Sequence, residues 1–360
     1  MKSKKSLDTL IRKDVLESKG YQLKSKPYRV KLNQNECPYI PENIFKHFST
    51  EFKKEVEINR YPQEANIALR KGLAKELNWP ADGISLANGS NVFIQGLVMA
   101  TAINGTVLTV TPTFSVFKLE AKLLSNQIIE VPLRQDFTFC VDEFLNKMRE
   151  VKPNIIFFSY PNAPTGNLFP KEDLLKVVEA ADCIVVMDEA YYEYSKSTFF
   201  NCLKEFNHLV IMRTFSKSGG LAGVRLGYLL GAPEIIFELE KVLPPFRVST
   251  LAEKIGLLAL DNRPWEEKHV QETRSELKRV FQALKVIKGI HPFPSEANFL
   301  LFRVDHIKGA SYLFDGLAEQ KILVRDYSQD PGTEACIRLS IGTREENDLV
   351  LKKIKEILGG

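Results

Sequence analysis

Between residues 106 and 230 the chain repeats one pattern: a short run of β-branched and aromatic residues, then a segment with helical spacing. The runs occupy 106–110, 127–131, 154–160, 183–188, 208–214 and 225–230. Because they are apolar at consecutive rather than alternate positions, they fit strands covered on both faces, and the helices between several of them supply the covers. The pattern predicts an α/β fold whose large domain holds a mainly parallel sheet flanked by helices. Upstream, 64–77 carries Ile67, Leu69, Leu73, Ala74 and Leu77 at helical spacing, and Asn78-Trp79-Pro80 stops that helix.

After Gly231 the texture changes. Helices are expected at 234–242, 251–260 and 264–288, then a strand-like 297–304, a helix at 309–320, strand-like 322–325 and 336–341, and a closing helix from Arg344. This mixture predicts a smaller α+β domain. The expected division is an N-terminal arm at 1–30, a large domain at 31–245 whose segment 31–50 can pack on the small domain, and a small C-terminal domain at 246–360. A chain of 360 residues is long enough for both cores. It shows neither an internal repeat nor a low-complexity linker, so a broad interface between the domains is expected.

Composition removes several classes of function. With 49 Lys and Arg against 45 Asp and Glu, the net charge of +4 is too small to argue for nucleic acid. The 44% apolar and 26% charged content excludes a disordered chain or a collagen-like fibre. Cys37, Cys140, Cys183, Cys202 and Cys336 form no C-x-x-C pair, and no histidine stands in metal-ligand spacing, so no metal site is expected. Dispersed free thiols suit a reducing compartment, the cytoplasm. The basic start lacks an apolar signal core, and no run of about 18 apolar residues suggests a membrane span.

Chemistry concentrates in a few segments. Thr214-Phe215-Ser216-Lys217-Ser218-Gly219-Gly220 leaves one apolar strand and leads, through Arg225, into the next. A lysine on such a loop can act as an amine nucleophile if its surroundings keep part of it unprotonated. Thr214, Ser216 and Arg225 can together hold a phosphate; the plain alternative is a glycine-rich turn with a solvated lysine. Asp188 ends another apolar run, where ligands bind in open α/β sheets, although a strand-end Asp also caps helices. Tyr191 follows three residues later. Ser159-Tyr160-Pro161-Asn162-Ala163-Pro164-Thr165-Gly166 is a rigid turn after a strand. Gly89-Ser90-Asn91 opens a helix, where backbone N–H groups accept a phosphate or simply a cap.

An amine nucleophile, a strand-end carboxylate, hydroxyls, an arginine and a helix N-terminus are what pyridoxal 5'-phosphate requires. The order G-S-N, P-N-A-P-T-G, D-E-A-Y, S-K-x₇-R resembles the fold-type I aminotransferases over nearly the whole chain. Within them, Leu32-Asn33-Gln34-Asn35-Glu36-Cys37-Pro38-Tyr39, Asn59-Arg60-Tyr61-Pro62, Arg213-Thr214-Phe215-Ser216-Lys217 and the closing Gly342-Thr343-Arg344-Glu345-Glu346 resemble the histidinol-phosphate aminotransferase family. The resemblance implies a homodimer in which Lys217 carries the cofactor, Asp188 binds its ring nitrogen and Tyr191 its ring oxygen. By the same resemblance, Ser90, Asn91, Ser216 and Arg225 surround the phosphate with Tyr61 of the neighbouring subunit, while Gly89, Thr214, Phe114 and Asn162 belong to the cofactor site. Tyr21, Asn35, Arg325 and Arg338 are implied on the substrate side, where the arginines receive the phosphate of histidinol phosphate or a carboxylate of 2-oxoglutarate or glutamate.

Two departures stand out. Relatives carry Asn directly before Pro-Thr-Gly, whereas this chain has Ala163 there with Asn162 one place earlier. The segment Thr113-Phe114-Ser115-Val116-Phe117 offers Phe114 for stacking but no hydroxyl. An aromatic amino acid aminotransferase or a threonine-phosphate decarboxylase on the same scaffold is the alternative activity, and a cofactor-binding protein without turnover is the alternative class.

Overall fold

The computed structural model describes residues 10–18, 27–44, 46, 58–62, 66–124 and 126–359. A short β1 (Val30–Lys31) precedes the main sheet, whose strands in chain order are β2 (Ile84–Ala87), β3 (Thr106–Thr111), β4 (Gln127–Pro132), β5 (Ile155–Ser159), β6 (Ile184–Asp188), β7 (Leu209–Thr214) and β8 (Gly227–Leu230). They lie side by side in the order β2-β8-β7-β6-β5-β3-β4. Strands β3 to β7 pair in parallel, and β8 runs antiparallel to both β7 and β2. Hence β2 points the same way as β7, and the ends of β2, β3, β5, β6 and β7 meet the start of β8 along one edge.

The consecutive apolar runs behave as expected of strands covered on both faces. In β5, Ile156 and Phe158 enter one core with Leu108, Met187 and Ile211, while Ile155 and Phe157 enter the opposite core with Val107, Val186 and Met212. Helices Asn91–Thr101 and Ser115–Leu123 contribute Phe93, Leu97 and Phe117 to the second core; Val141–Val151 and Lys171–Ala180 contribute Phe144 and Leu174 to the first. Strand β2 was not among the expected strands. With four residues, Ile-Ser-Leu-Ala, it is too short to show periodicity, and its pairing with β8 makes it a strand.

A second, four-stranded antiparallel sheet has the order β12-β13-β10-β9, from β9 (Ile290–Pro292), β10 (Phe299–Val304), β12 (Arg325–Asp326) and β13 (Cys336–Ser340). The run 322–325, expected as one strand, divides at Val324. Its first half, β11 (Ile322–Leu323), pairs in parallel with β1, and its second half is β12. Helices Arg263–Lys285, Gly309–Glu319 and Arg344–Leu358 cover this sheet with Leu277, Val280, Leu313, Leu317, Val350 and Ile354. Val30 and Leu32 join the same core, so the start of the 31–50 segment packs here. Val248, Ala252 and Ala259 instead pack in the first core, with the helix Thr250–Asp261 against Ile67–Leu77. The chain changes cores along the helix Arg263–Lys285, and small residues such as Gly256 let the preceding helix sit tightly on Leu69 and Leu226.

The closing helix begins with a reciprocal cap. Glu346 N–H donates to Thr343 Oγ1 at 3.3 Å and Thr343 N–H donates to Glu346 Oε2 at 2.9 Å. Thr343→Ala removes one half of that pair and is expected to lower stability by about 1 kcal/mol, read as a shift of the urea midpoint with the slope unchanged.

Candidate active site

The shared strand edge opens into a cavity of about 480 Å³, lined from the large sheet by Ser90, Asn91, Phe114, Ala163, Asp188, Tyr191, Thr214, Ser216, Lys217 and Arg225 and from the other side by Asn35, Arg325 and Arg338. Segments far apart in sequence converge because each leaves or enters a strand at that edge, the position where open α/β sheets bind ligands.

At its floor, Asp188 is 4% exposed at the end of β6. Burial pushes its carboxyl up to about 7, against the pull of the Ala190 N–H at 3.2 Å and the Lys217 ammonium. Lys217 is shifted the other way. Burial, and after it the Arg338 charge, brings its amine down to about 8, and its Nζ donates to the Gln34 carbonyl at 2.8 Å. An amine in that range is partly neutral near physiological pH, the state a nucleophile needs.

The turn after Asp188 is fastened from behind. Glu189, fully buried, accepts from Arg213 Nε at 3.0 Å and Nη2 at 2.9 Å and from the Phe199 N–H at 2.6 Å. The Arg213 guanidinium lies 3.7 Å from the Tyr192 ring centroid. This pair ties β6 to β7, so Asp188 and Thr214 keep their spacing.

One wall gathers donors. Ser90 makes no side-chain cap to the helix Asn91–Thr101, so its hydroxyl is free to face the cavity. Thr214 Oγ1 lies 3.0 Å from Ser216 Oγ and accepts from the Ser216 N–H at 3.1 Å. Arg225, in the left-handed region at φ 57°, brings its guanidinium over Gly89. A Cβ at position 89 would stand 2.5 Å from Arg225 Nη2, and one at 227 would stand 2.5 Å from the Ser90 N–H. Both glycines thus admit the close approach that an anion cup of hydroxyls, guanidinium and helix N-terminus demands. A phosphate-bearing aromatic cofactor with an aldehyde fits this donor set, Asp188 and Lys217 included.

The opposite wall is cationic. Arg325 on β12 and Arg338 on β13 are directly opposed in the antiparallel register. Like charges so placed repel, yet neither makes an ion pair among the described residues. Arg338 is 8% exposed; its Nη2 donates to the Asn33 carbonyl at 3.1 Å, its Nη1 to the Tyr327 hydroxyl at 3.2 Å, and its buried Nε has no partner among the described residues. Asn35 donates through Nδ2 to the Tyr191 hydroxyl at 3.0 Å and is itself held by Ser340.

Two expected residues stand elsewhere. Asn162 is fully buried and outside the cavity lining; its amide donates to the Pro112 carbonyl and Thr165 and its Oδ1 accepts from Thr113, so Ala163 takes the place facing the pocket. Tyr61 is 77% exposed and stacks on Phe246 at 4.9 Å, away from the cavity. Tyr21 lies outside the described residues. Gln34 and Tyr327 were not foreseen. Gln34 contributes a backbone carbonyl, which leaves no side-chain signal, whereas Tyr327 follows Arg325 by two residues, the spacing that places both on one face of an extended chain.

The family model for class I and II aminotransferases matches residues 28–354. The chain belongs to that family. Among its relatives, the histidinol-phosphate aminotransferase of Thermoanaerobacter sp. (strain X514) is 33% identical over 354 residues, covering 98% of this chain and 99% of the relative. Histidinol-phosphate aminotransferase 1 of Ralstonia nicotianae is 36% identical over 95% of this chain and 92% of its own length. The histidinol-phosphate aminotransferase from Sinorhizobium meliloti, solved in complex with pyridoxal-5'-phosphate, superimposes with a TM-score of 0.86 at 20% identity, over 98% of this chain and 99% of that one. As a class I and II aminotransferase the chain is pyridoxal-phosphate-dependent, in keeping with the donor set above.

In this aminotransferase the Glu189–Arg213 pair is buried on both sides, so Arg213→Met strands an uncompensated carboxylate. The expected loss is about 3–5 kcal/mol, measured by guanidinium denaturation of the purified variant.

Proposed function

We propose that this aminotransferase interconverts L-histidinol phosphate and imidazole-acetol phosphate, with 2-oxoglutarate and glutamate as the second pair, running physiologically toward histidinol phosphate in histidine biosynthesis. The observation that carries the reading is the opposed Arg325–Arg338 pair, a cationic wall facing Lys217 and Asp188 in which neither arginine makes an ion pair among the described residues. It suits an anion at the far end of the substrate from its amine. Full-length relatives named histidinol-phosphate aminotransferase support that choice. An L-threonine-O-3-phosphate decarboxylase from Porphyromonas gingivalis shares the fold at 19% identity, which speaks to architecture alone.

Ser90, Asn91, Thr214, Ser216 and Arg225, with Gly89 leaving room, would hold the cofactor phosphate, and Phe114 would stack on the ring. When bound, pyridoxal phosphate supplies an aldehyde that takes the substrate nitrogen and a protonated ring that draws electrons from the substrate carbon. Asp188 keeps the proton on the ring nitrogen, a task its buried position favours. Tyr191, steadied by Asn35, would contact the ring oxygen through its hydroxyl. Lys217 removes the proton from the substrate carbon and returns it on the other side of the exchange, base and acid in turn. Arg325 and Arg338 hold phosphate in one half-reaction and carboxylate in the other.

The reading includes a cytoplasmic homodimer in which Tyr61 reaches the neighbouring site; its exposed stack on Phe246 supports a surface role there. It also includes a large and a small domain, supported by the two separate cores.

The deciding experiment mixes the holoenzyme with histidinol phosphate and no keto acid: about one equivalent of imidazole-acetol phosphate per site is expected, and none would reject the substrate. Lys217→Ala should keep the fold, by circular dichroism, and abolish that single turnover. Raising pH through about 8 deprotonates Lys217, so the rate at which apoprotein takes up pyridoxal phosphate, followed by absorbance, should climb and level off above that pH. A rate flat across that pH would contradict the role of the amine.

A further inference from the structure

Tyr327 stands beside both guanidiniums, in a position that none of the roles above uses. Its hydroxyl accepts from Arg338 Nη1 at 3.2 Å, and its ring centroid lies 5.4 Å from the Arg338 guanidinium carbon and 5.9 Å from that of Arg325. The ring is packed against the cluster of Phe137, Leu301 and Cys336, and its backbone N–H donates to the Cys336 carbonyl at 3.1 Å. It is therefore a partly buried group held by its packing, and it lines the cavity. A phenol that accepts one hydrogen bond still has its own hydrogen to give. Among the described residues that hydrogen has no acceptor, just as the buried Nε–H of Arg338 has none.

Two guanidiniums and one phenolic O–H thus converge from one wall. A carboxylate presents two oxygens, which a single bidentate arginine can satisfy. A phosphate monoester presents three strong acceptor oxygens and more charge. We infer that Tyr327 is a specificity-determining residue that donates to the substrate phosphate and favours it over the carboxylate that shares the same arginines. This deepens the proposed function and rests on its phosphate-bearing substrate. The physical basis is asymmetry of donors: the hydroxyl completes the set for phosphate and is surplus for carboxylate, so its loss falls on one substrate pair only.

The test is Tyr327→Phe in the holoenzyme, which keeps the ring and its packing and removes only the O–H. Two readouts are taken beside wild type. Steady-state kinetics should show KM for histidinol phosphate raised about tenfold, the scale of one hydrogen bond to a charged group, with KM for 2-oxoglutarate and kcat changed less than about twofold. Calorimetric titration should show binding of inorganic phosphate weakened to a similar degree and binding of succinate unchanged. An unaltered thermal midpoint and cofactor absorbance would exclude a folding defect. If phosphate and succinate weakened together, Tyr327 would merely brace Arg338, and the inference would be overturned; if neither changed, it would be overturned as well. Should wild type convert glutamate but ignore histidinol phosphate and inorganic phosphate, the substrate reading itself would fall and this inference with it. Wild-type turnover of histidinol phosphate with no selective effect of Tyr327→Phe would overturn the inference alone.

Discussion

Strand direction governs this molecule. Because β2, β3, β5, β6 and β7 end at the same edge where β8 begins, the residues just beyond those strands meet in one cavity although more than a hundred positions separate Ser90 from Lys217. A parallel sheet buried on both faces imposes this, since its crossover helices occupy the faces and leave only the strand ends open. The reversed β8 matters as much: it delivers Arg225 to the edge from which β7 departs, beside Ser216 and above Gly89.

Burial at that edge sets the chemistry. Desolvation raises the Asp188 carboxyl and depresses the Lys217 amine, so both charged forms are disfavoured in the same cavity. The signs bear on stability. A carboxyl raised in the folded state contributes stability at low pH that is lost as pH rises through about 7, and an amine depressed in the folded state contributes only above about 8. Between those values neither group helps the fold, which is the usual cost of keeping reactive groups out of water. The opposed arginines add a third unfavourable element. The Glu189–Arg213 pair behind Asp188 holds the site together against these terms.

Much of this was legible in the chain. Consecutive apolar runs of β-branched and aromatic residues marked β3 to β8, since a doubly covered strand has no alternation to hide it. The Ser-Lys loop, the strand-end Asp188 and the Gly-Ser-Asn turn carried chemistry in their residue types, and their fixed order matched a family. Where the reading departed from the structure, long-range pairing had intervened. Strand β2 exists because β8 lies beside it, and the run 322–325 divides because its halves pair with different sheets. The resemblance implied Asn162 on the cofactor, whereas Pro112, Thr113 and Thr165 take its hydrogen bonds from positions no local pattern links to it and Ala163 faces the cavity.

The sequence by itself determined the α/β class and the cofactor chemistry, and it singled out Lys217, Asp188 and Arg225, which line the cavity, because these rest on local periodicity and on functional groups whose order survives in one dimension. Only the tertiary structure decided that Arg325 and Arg338 face each other, that Tyr327 stands beside both, that Gln34 gives its carbonyl to Lys217 and that the chain changes cores along the helix Arg263–Lys285. Those facts depend on cross-strand register and on packing between distant segments, which side-chain spacing along the chain does not encode.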